Sequence, residues 1–354
     1  MPGLKAAMKY AYSNTRVKAM ESKLVKKETL ERMLAAKEQE SIAAMLLQTE
    51  YKSEVEKLGG VKAMGTLIDF ALSRNLGRET SKLISIAPKD QRAIMIAIAG
   101  EWDISNIKIL LEAIASKKSY DDISRYVIDT KYTGLAISKE VMALKGVDEA
   151  ISWMSGHTPY SAMLASAQEA YRRSHSALDA GEALEREYYI RLGGTIQKLS
   201  IIDKEAAALI RSRIDMRNML VLLEAKKHGT DYANASARLL PNGTMQMHAM
   251  EKLFKDSKNV EGLAESAKVF DLKGAAAEYG AGKTKPLMVF EISMLNEIFR
   301  KALRGVRHSV LSFGALVAFL YLKEVEVFTI RILIKGRSYG LSDAEIKGMI
   351  SWLK

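Results

Sequence analysis

The sequence predicts an all-α protein made of three similar helical units in tandem. Two observations carry this: a composition suited to helices, and two sequence signatures that recur together with one period of about 110 residues. Of the 354 residues, 48% are hydrophobic and 27% charged, the balance of a chain that can bury a core. There are 5 prolines, and the long periodic stretches are rich in Ala, Leu, Met, Glu and Lys, which favours helix over sheet.

Along the chain, "LERMLAAKEQESIAAMLLQTEY" reads as two short helices around a polar turn, closed by Tyr51 as a core plug. Next comes "EWDISNIKILLEA", where Ile104, Ile107, Leu110, Leu111 and Ile114 recur at three- and four-residue steps and so form one helix stripe. Asp103 is placed as an N-cap or first-turn residue, and Asn106 follows on the same side of the helix.

Both signatures return. "ISKEVMALKGVDEAISWMSGHTPY" ends at Tyr160, and "IDMRNMLVLLEA" carries Asp215 and Asn218 with Met216, Met219, Leu222 and Leu223. They return once more, degenerately. "MHAMEKLFKDSKNVEGLAESAKVF" ends at Phe270, and in "VEVFTIRILIKG" Glu326 takes the Asp place and Thr329 the Asn place. The acids stand 112 and 111 residues apart, the aromatics 109 and 110, and the first two aromatics share Thr-x-Tyr.

This predicts units over 1–118, 119–230 and 231–354, each large enough for its own small core, with breaks near "ASKKSYDD" and "KKHGTDY" and a loop at "YGAGKTKP". The period is too long for tetratricopeptide, HEAT or ankyrin arrays, which repeat at roughly 33 to 47 residues. Between the signatures, "AYRRSHSALDAGEALERE" reads as a charged helix feeding "YYIRLGG" and packing between units. "LSFGALVAFLYL" is too short for a bilayer, which needs roughly 20 residues, and reads as a buried helix. The N-terminus lacks the apolar run of a signal peptide.

Little in the chain points to chemistry. With no cysteine, disulfides, Fe–S clusters and thiolate zinc sites are excluded. The histidines (His157, His175, His228, His248, His308) form no ligand spacing. Gly282-Lys283-Thr284 suggests a phosphate loop, but Ala277 stands where its first glycine belongs, Pro286 follows, and no strand precedes. The pairs Asp103/Asn106 and Asp215/Asn218 read as caps and inter-helix hydrogen bonds rather than metal or acid–base groups. No catalytic, cofactor-binding or metal-binding residue and no small-molecule substrate is expected. The net charge of +11 fits either an acidic partner or plain solvated helix faces. A basic helical protein that binds nucleic acid is the rival reading, and it predicts Lys and Arg gathered along one groove.

The chain resembles the C subunit of archaeal A-type ATP synthases, which is similar to the d subunit of V-type ATPases. The resemblance rests on "MKYAYSNTRVKAMESKL", the Thr-x-Tyr ending at Tyr51, "EWDISNIKILLEA", "YYIRLGG", "RIDMRNMLVLLEAKKHG" and "LKEVEVFTIRILIKGRSYGLSDAEIKGMI", in order over the whole chain. Thr329 and the "GAGKTKP" loop depart from the pattern. The resemblance implies three bundles about a pseudo-threefold axis forming a funnel, without chemistry of its own. It implies a socket that receives the central-stalk subunits and rests on the proteolipid ring. The protein would then lie at the cytoplasmic face of the cell membrane, touching it through the ring alone, without nucleic acid or cofactor.

Overall fold

The computed structural model describes residues 2–57, 63–282, 286–308 and 311–350, and among them every regular element is a helix. After α1 (Pro2–Glu21) come a pair of short helices, α2 (Lys27–Ala35) and α3 (Gln39–Leu46), then α4 (Lys52–Lys57) and a long hairpin, α5 (Met64–Ile86) and α6 (Arg92–Ala115). The order recurs in α7 (Tyr120–Ile123), the pair α8 (Leu135–Met142) and α9 (Val147–His157), α10 (Ser161–Ser174), and the hairpin α11 (Ala177–Ile202) and α12 (Lys204–His228). It recurs again in α13 (Tyr232–Ala237), the pair α14 (Met247–Asp256) and α15 (Val260–Ser266), α16 (Lys273–Ala281), and the hairpin α17 (Met288–His308) and α18 (Gly314–Ser338). A last helix, α19 (Asp343–Met349), follows.

Local chemistry sets the helix ends. Sixteen residues after each acid stands an N-cap: Ser119, Asp231 and Ser342 accept from the backbone N–H of Asp122, Asn234 and Glu345, starting α7, α13 and α19. Asp203 caps α12 by accepting from the Ala206 N–H at 3.0 Å, and α12 stops at Gly229, whose φ of 69° costs a glycine nothing. The charged stretch before Tyr188 is broken, because His175 adopts a left-handed conformation (φ 55°) and Ser176 caps α11.

Asp103 and Asp215 are not caps. The apolar runs before them continue the helix, so α6 and α12 begin eleven residues earlier and each acid sits three turns inside. Glu326 is likewise interior to α18.

Three apolar cores divide the chain in a way the linear units do not. One joins Leu30, Met33, Ile42, Leu46 and Tyr51 to Val327, Ile330 and Leu333 of α18 and Ile346 of α19. A second joins Met216, Met219, Leu222 and Leu223 of α12 to Leu239, Phe254, Leu263, Phe270 and Phe290. The third, central core takes α6, α8 to α11, the first half of α12 and the first half of α18. Helices α6 and α12 therefore pack against the short helices that follow the next unit boundary, and α18 against those at the start of the chain. A chain cut at 118 or 230 would part α6 or α12 from its partners, so the spans do not each close on a core of their own. Side chains such as Leu46 and Leu222, fully buried at 0% exposure, contribute ~2 kcal/mol apiece.

From Gly314 to Leu322 α18 is buried on every side, which is why that run is so apolar. Among the described residues no helix is long and apolar enough to cross a membrane. Lys283 and Thr284 of the "GAGKTKP" stretch lie outside the described residues.

Candidate functional site

Two of the three recurring aromatics meet a recurring acid, each the acid of another copy. Tyr160 donates its hydroxyl to Asp103 Oδ2 at 2.5 Å, and Tyr51 donates to Glu326 Oε1 at 2.7 Å. The second copy's aromatic thus joins the first copy's acid, and the first copy's aromatic joins the third copy's acid. Phe270 has no hydroxyl. Asp215 instead accepts from the backbone N–H of Thr244 at 2.8 Å and of Met245 at 3.1 Å. Gly243 permits this approach, since a Cβ there would lie 2.3 Å from Asp215 Oδ1.

Thr-x-Tyr has a mechanical reason. Thr49 donates to the Leu46 carbonyl and accepts from the Tyr51 N–H; Thr158 donates to the Met154 carbonyl and accepts from the Tyr160 N–H. The hydroxyl ties off the helix end and holds the tyrosine two residues on. The third copy has no such threonine and no hydroxyl to aim.

Asn106 and Asn218 are backbone clamps. Asn106 donates to the Ile128 carbonyl at 2.7 Å and accepts from the Ile128 N–H at 2.9 Å; Asn218 does the same with Leu240 at 2.9 and 2.7 Å. Each holds the residue 22 positions downstream. Thr329 returns its hydroxyl to the Val325 carbonyl at 2.7 Å.

Burial pushes the Asp103 and Asp215 carboxyls above the usual range, opposed by the donors that face them: Thr130, Tyr160 and Thr133 for the first, Met245 and Thr244 for the second. Burial, then the Glu326 charge, raises the Tyr51 phenol well above its usual range. The Tyr160 phenol is raised in the same way, beside Asp103.

The sequence reading missed the residues two places before each acid: Glu101, Arg213 and Glu324. They come together. Arg213 donates to Glu324 Oε1, and its Nε stands 3.7 Å from Glu101 Oε1. Arg217 donates to Glu101 at 2.8 Å and also to Glu185, which Lys108 pairs in turn; Tyr189 donates to Glu101 at 3.2 Å. Burial would raise the Glu101 carboxyl, but Arg213 and Arg217 outweigh it and hold it low. The Glu324 carboxyl is raised by burial in spite of Arg213. Burial works against the Arg213 charge, yet Glu324 and Glu101 keep it protonated. A signal existed in the equal offset, but its Glu, Arg, Glu sign pattern conceals it from an identity match.

Glu101 lies on α6, Arg213 on α12 and Glu324 on α18, so this ion junction marks where those three helices meet. Its charges are spent on each other. Among the described residues no group of three or more His, Cys, Asp or Glu is placed to hold a metal. The arrangement fastens α6, α11, α12 and α18 together.

The family described as "ATP synthase (C/AC39) subunit" matches residues 13–349. The chain is similar to the C subunits of A-type ATP synthases. With that of Methanosarcina acetivorans it is 27% identical over 347 residues, covering 98% of this chain and 94% of the relative. With that of Methanosarcina mazei it is 28% identical over 353 residues, with the same coverage. With that of Methanosphaera stadtmanae it is 26% identical over 356 residues, covering 96% of this chain and 87% of the relative.

Proposed function

The chain belongs to the ATP synthase (C/AC39) subunit family, and on that premise we propose that it is the rotor socket coupling the central stalk to the proteolipid ring. It is a structural, non-catalytic subunit of an A/V-type ATP synthase complex. In our reading three bundles stand about a pseudo-threefold axis and form a funnel: the stalk tip enters it, and its base rests on the ring at the cytoplasmic face of the membrane. There it serves ion-driven ATP synthesis or ATP-driven ion pumping.

The observation that supports this best is the junction of Glu101, Arg213 and Glu324. A rotor part must pass torque without yielding. A close-packed interior cross-tied by buried ion pairs and by Tyr160–Asp103 and Tyr51–Glu326 deforms little. The spans 1–118, 119–230 and 231–354 are then units of duplication, while the bodies that bear load each combine parts of two. Neither the family nor the relatives support the nucleic-acid reading.

The test is co-purification. Affinity-tagged protein should bring down the central-stalk subunits and the proteolipid ring from solubilised membranes, and should not shift duplex DNA at about 150 mM salt. Recovery without stalk or ring, together with a salt-sensitive DNA shift, would reverse the assignment.

A further inference from the structure

The long helices build three grooves to one plan: α5 lies against α18, α11 against α6, and α17 against α12. Seven and three residues before each acid, the same places line the groove: Phe319 and Lys323, Ile96 and Gly100, Ala208 and Ser212. The opposite wall comes from Glu79 and Lys82 in the first, Tyr188 and Arg191 in the second, Lys301 and Arg304 in the third.

Helix α1 occupies the first groove. Val17 is fully buried, Ser13 donates to the Ile86 carbonyl at 2.5 Å, and Asn14 donates to the Ser312 carbonyl at 2.9 Å. Its flank is basic: Arg16 and Lys23 border the gap that Glu79 and Glu50 also line, and Lys23 pairs with Glu50 at 3.0 Å. The α6/α11 groove has no such cover among the described residues. It keeps a cavity of about 290 Å³, with Ile96 40% exposed. Its charge also differs: Glu50, Glu79, Lys82 and Lys323 line the filled groove, whereas among the described residues that line the open one Arg191 alone is charged. Glu79 of the filled groove stands 24 residues before Asp103, and its counterpart in the open groove, 24 residues before Asp215, is Arg191. Among the described residues that guanidinium pairs only along its own helix, with Glu187 at 2.7 Å.

We propose that the α6/α11 groove is a docking site for an amphipathic helix of a partner protein, carrying an apolar stripe like that of α1 but an acidic flank. This goes beyond the rotor assignment and does not depend on it. A helix is the shape that fits, because the sister groove already holds one. The sign follows from Arg191, since a rim charge selects its partner by complementarity.

The probe is a peptide of residues 8–24 of this chain, made with its native sequence and with R16E and K23E. Each is titrated into the full-length protein carrying labelled Ile and Met methyl groups, with Ile96 and Met163 as groove reporters. The acidic peptide should shift both methyls saturably and bind about tenfold more tightly than the native peptide. R191E, on the exposed side of α11, should invert that order while leaving distant methyls in place. The proposal is overturned if neither peptide moves Ile96 and Met163, if both bind alike, or if R191E leaves the order unchanged. Tighter binding of the native peptide would overturn it too, by pointing to α1 of a second copy.

Discussion

Tyr51 and Glu326 stand 275 residues apart in the chain, yet the phenol donates to the carboxylate at 2.7 Å with the tyrosine ring fully buried. Glu326 also accepts from Lys323 at 2.6 Å and from the Val25 N–H. One carboxylate thus fastens the N-terminal segment to the last long helix.

Tyr51→Phe should lower stability by about 2 kcal/mol, the worth of a buried hydrogen bond to a charged group. In a double-mutant cycle with Glu326→Gln, urea unfolding should show coupling above about 0.5 kcal/mol. Strictly additive losses would mean the contact carries no energy of its own.

Asn106→Ala and Asn218→Ala should each cost about 2–4 kcal/mol, because each leaves a buried backbone N–H without its partner, and at Leu240 the C=O as well, whereas the Ile128 C=O keeps the Thr130 N–H. Thr329→Ala should cost under about 1 kcal/mol, since its hydroxyl only returns to its own helix. Denaturant midpoints for the three variants test the ranking, and equal losses would refute the clamp.

Arg213→Met leaves Glu101 and Glu324 buried beside one another and should cost about 3–5 kcal/mol. Neutralising all three positions together, with Glu101→Gln and Glu324→Gln added, should recover most of that loss. A triple variant less stable than Arg213→Met would show that the ion pairs do more than cancel.

The acid side should separate Asp103 from Glu101. Burial raises the folded carboxyl of Asp103 above its unfolded value, so its contribution is fully present below about pH 4, the unfolded range, and is lost as pH rises through the folded pKa. Wild type should therefore gain stability over Asp103→Asn as pH falls from neutrality. Glu101 is held low, so its contribution is present above its unfolded pKa and lost as pH falls through the folded one. The advantage of wild type over Glu101→Gln should shrink in acid. Chemical unfolding at several pH values reads both slopes, and parallel curves would contradict the assigned directions.

The helix content, the period, the paired short helices before Tyr51, Tyr160 and Phe270, and the family likeness were all legible in the sequence, because apolar spacing and cap chemistry act over a few residues. Helix starts were less so. Asp103 has the look of a cap, and nothing within four residues of it reveals that the apolar run upstream continues the same helix.

Which acid meets which tyrosine was decided by tertiary structure alone. Asp103 takes Tyr160 and Glu326 takes Tyr51 because the chain closes on itself, and closure depends on how long helices stack rather than on any local pattern. The junction of Glu101, Arg213 and Glu324 has the same origin. Periodicity tells which residues of a helix face inward, whereas the contact of three helices at one point is a property of their packing. By itself the sequence determined the parts and their repetition; the fold decided that the end of the chain completes its beginning.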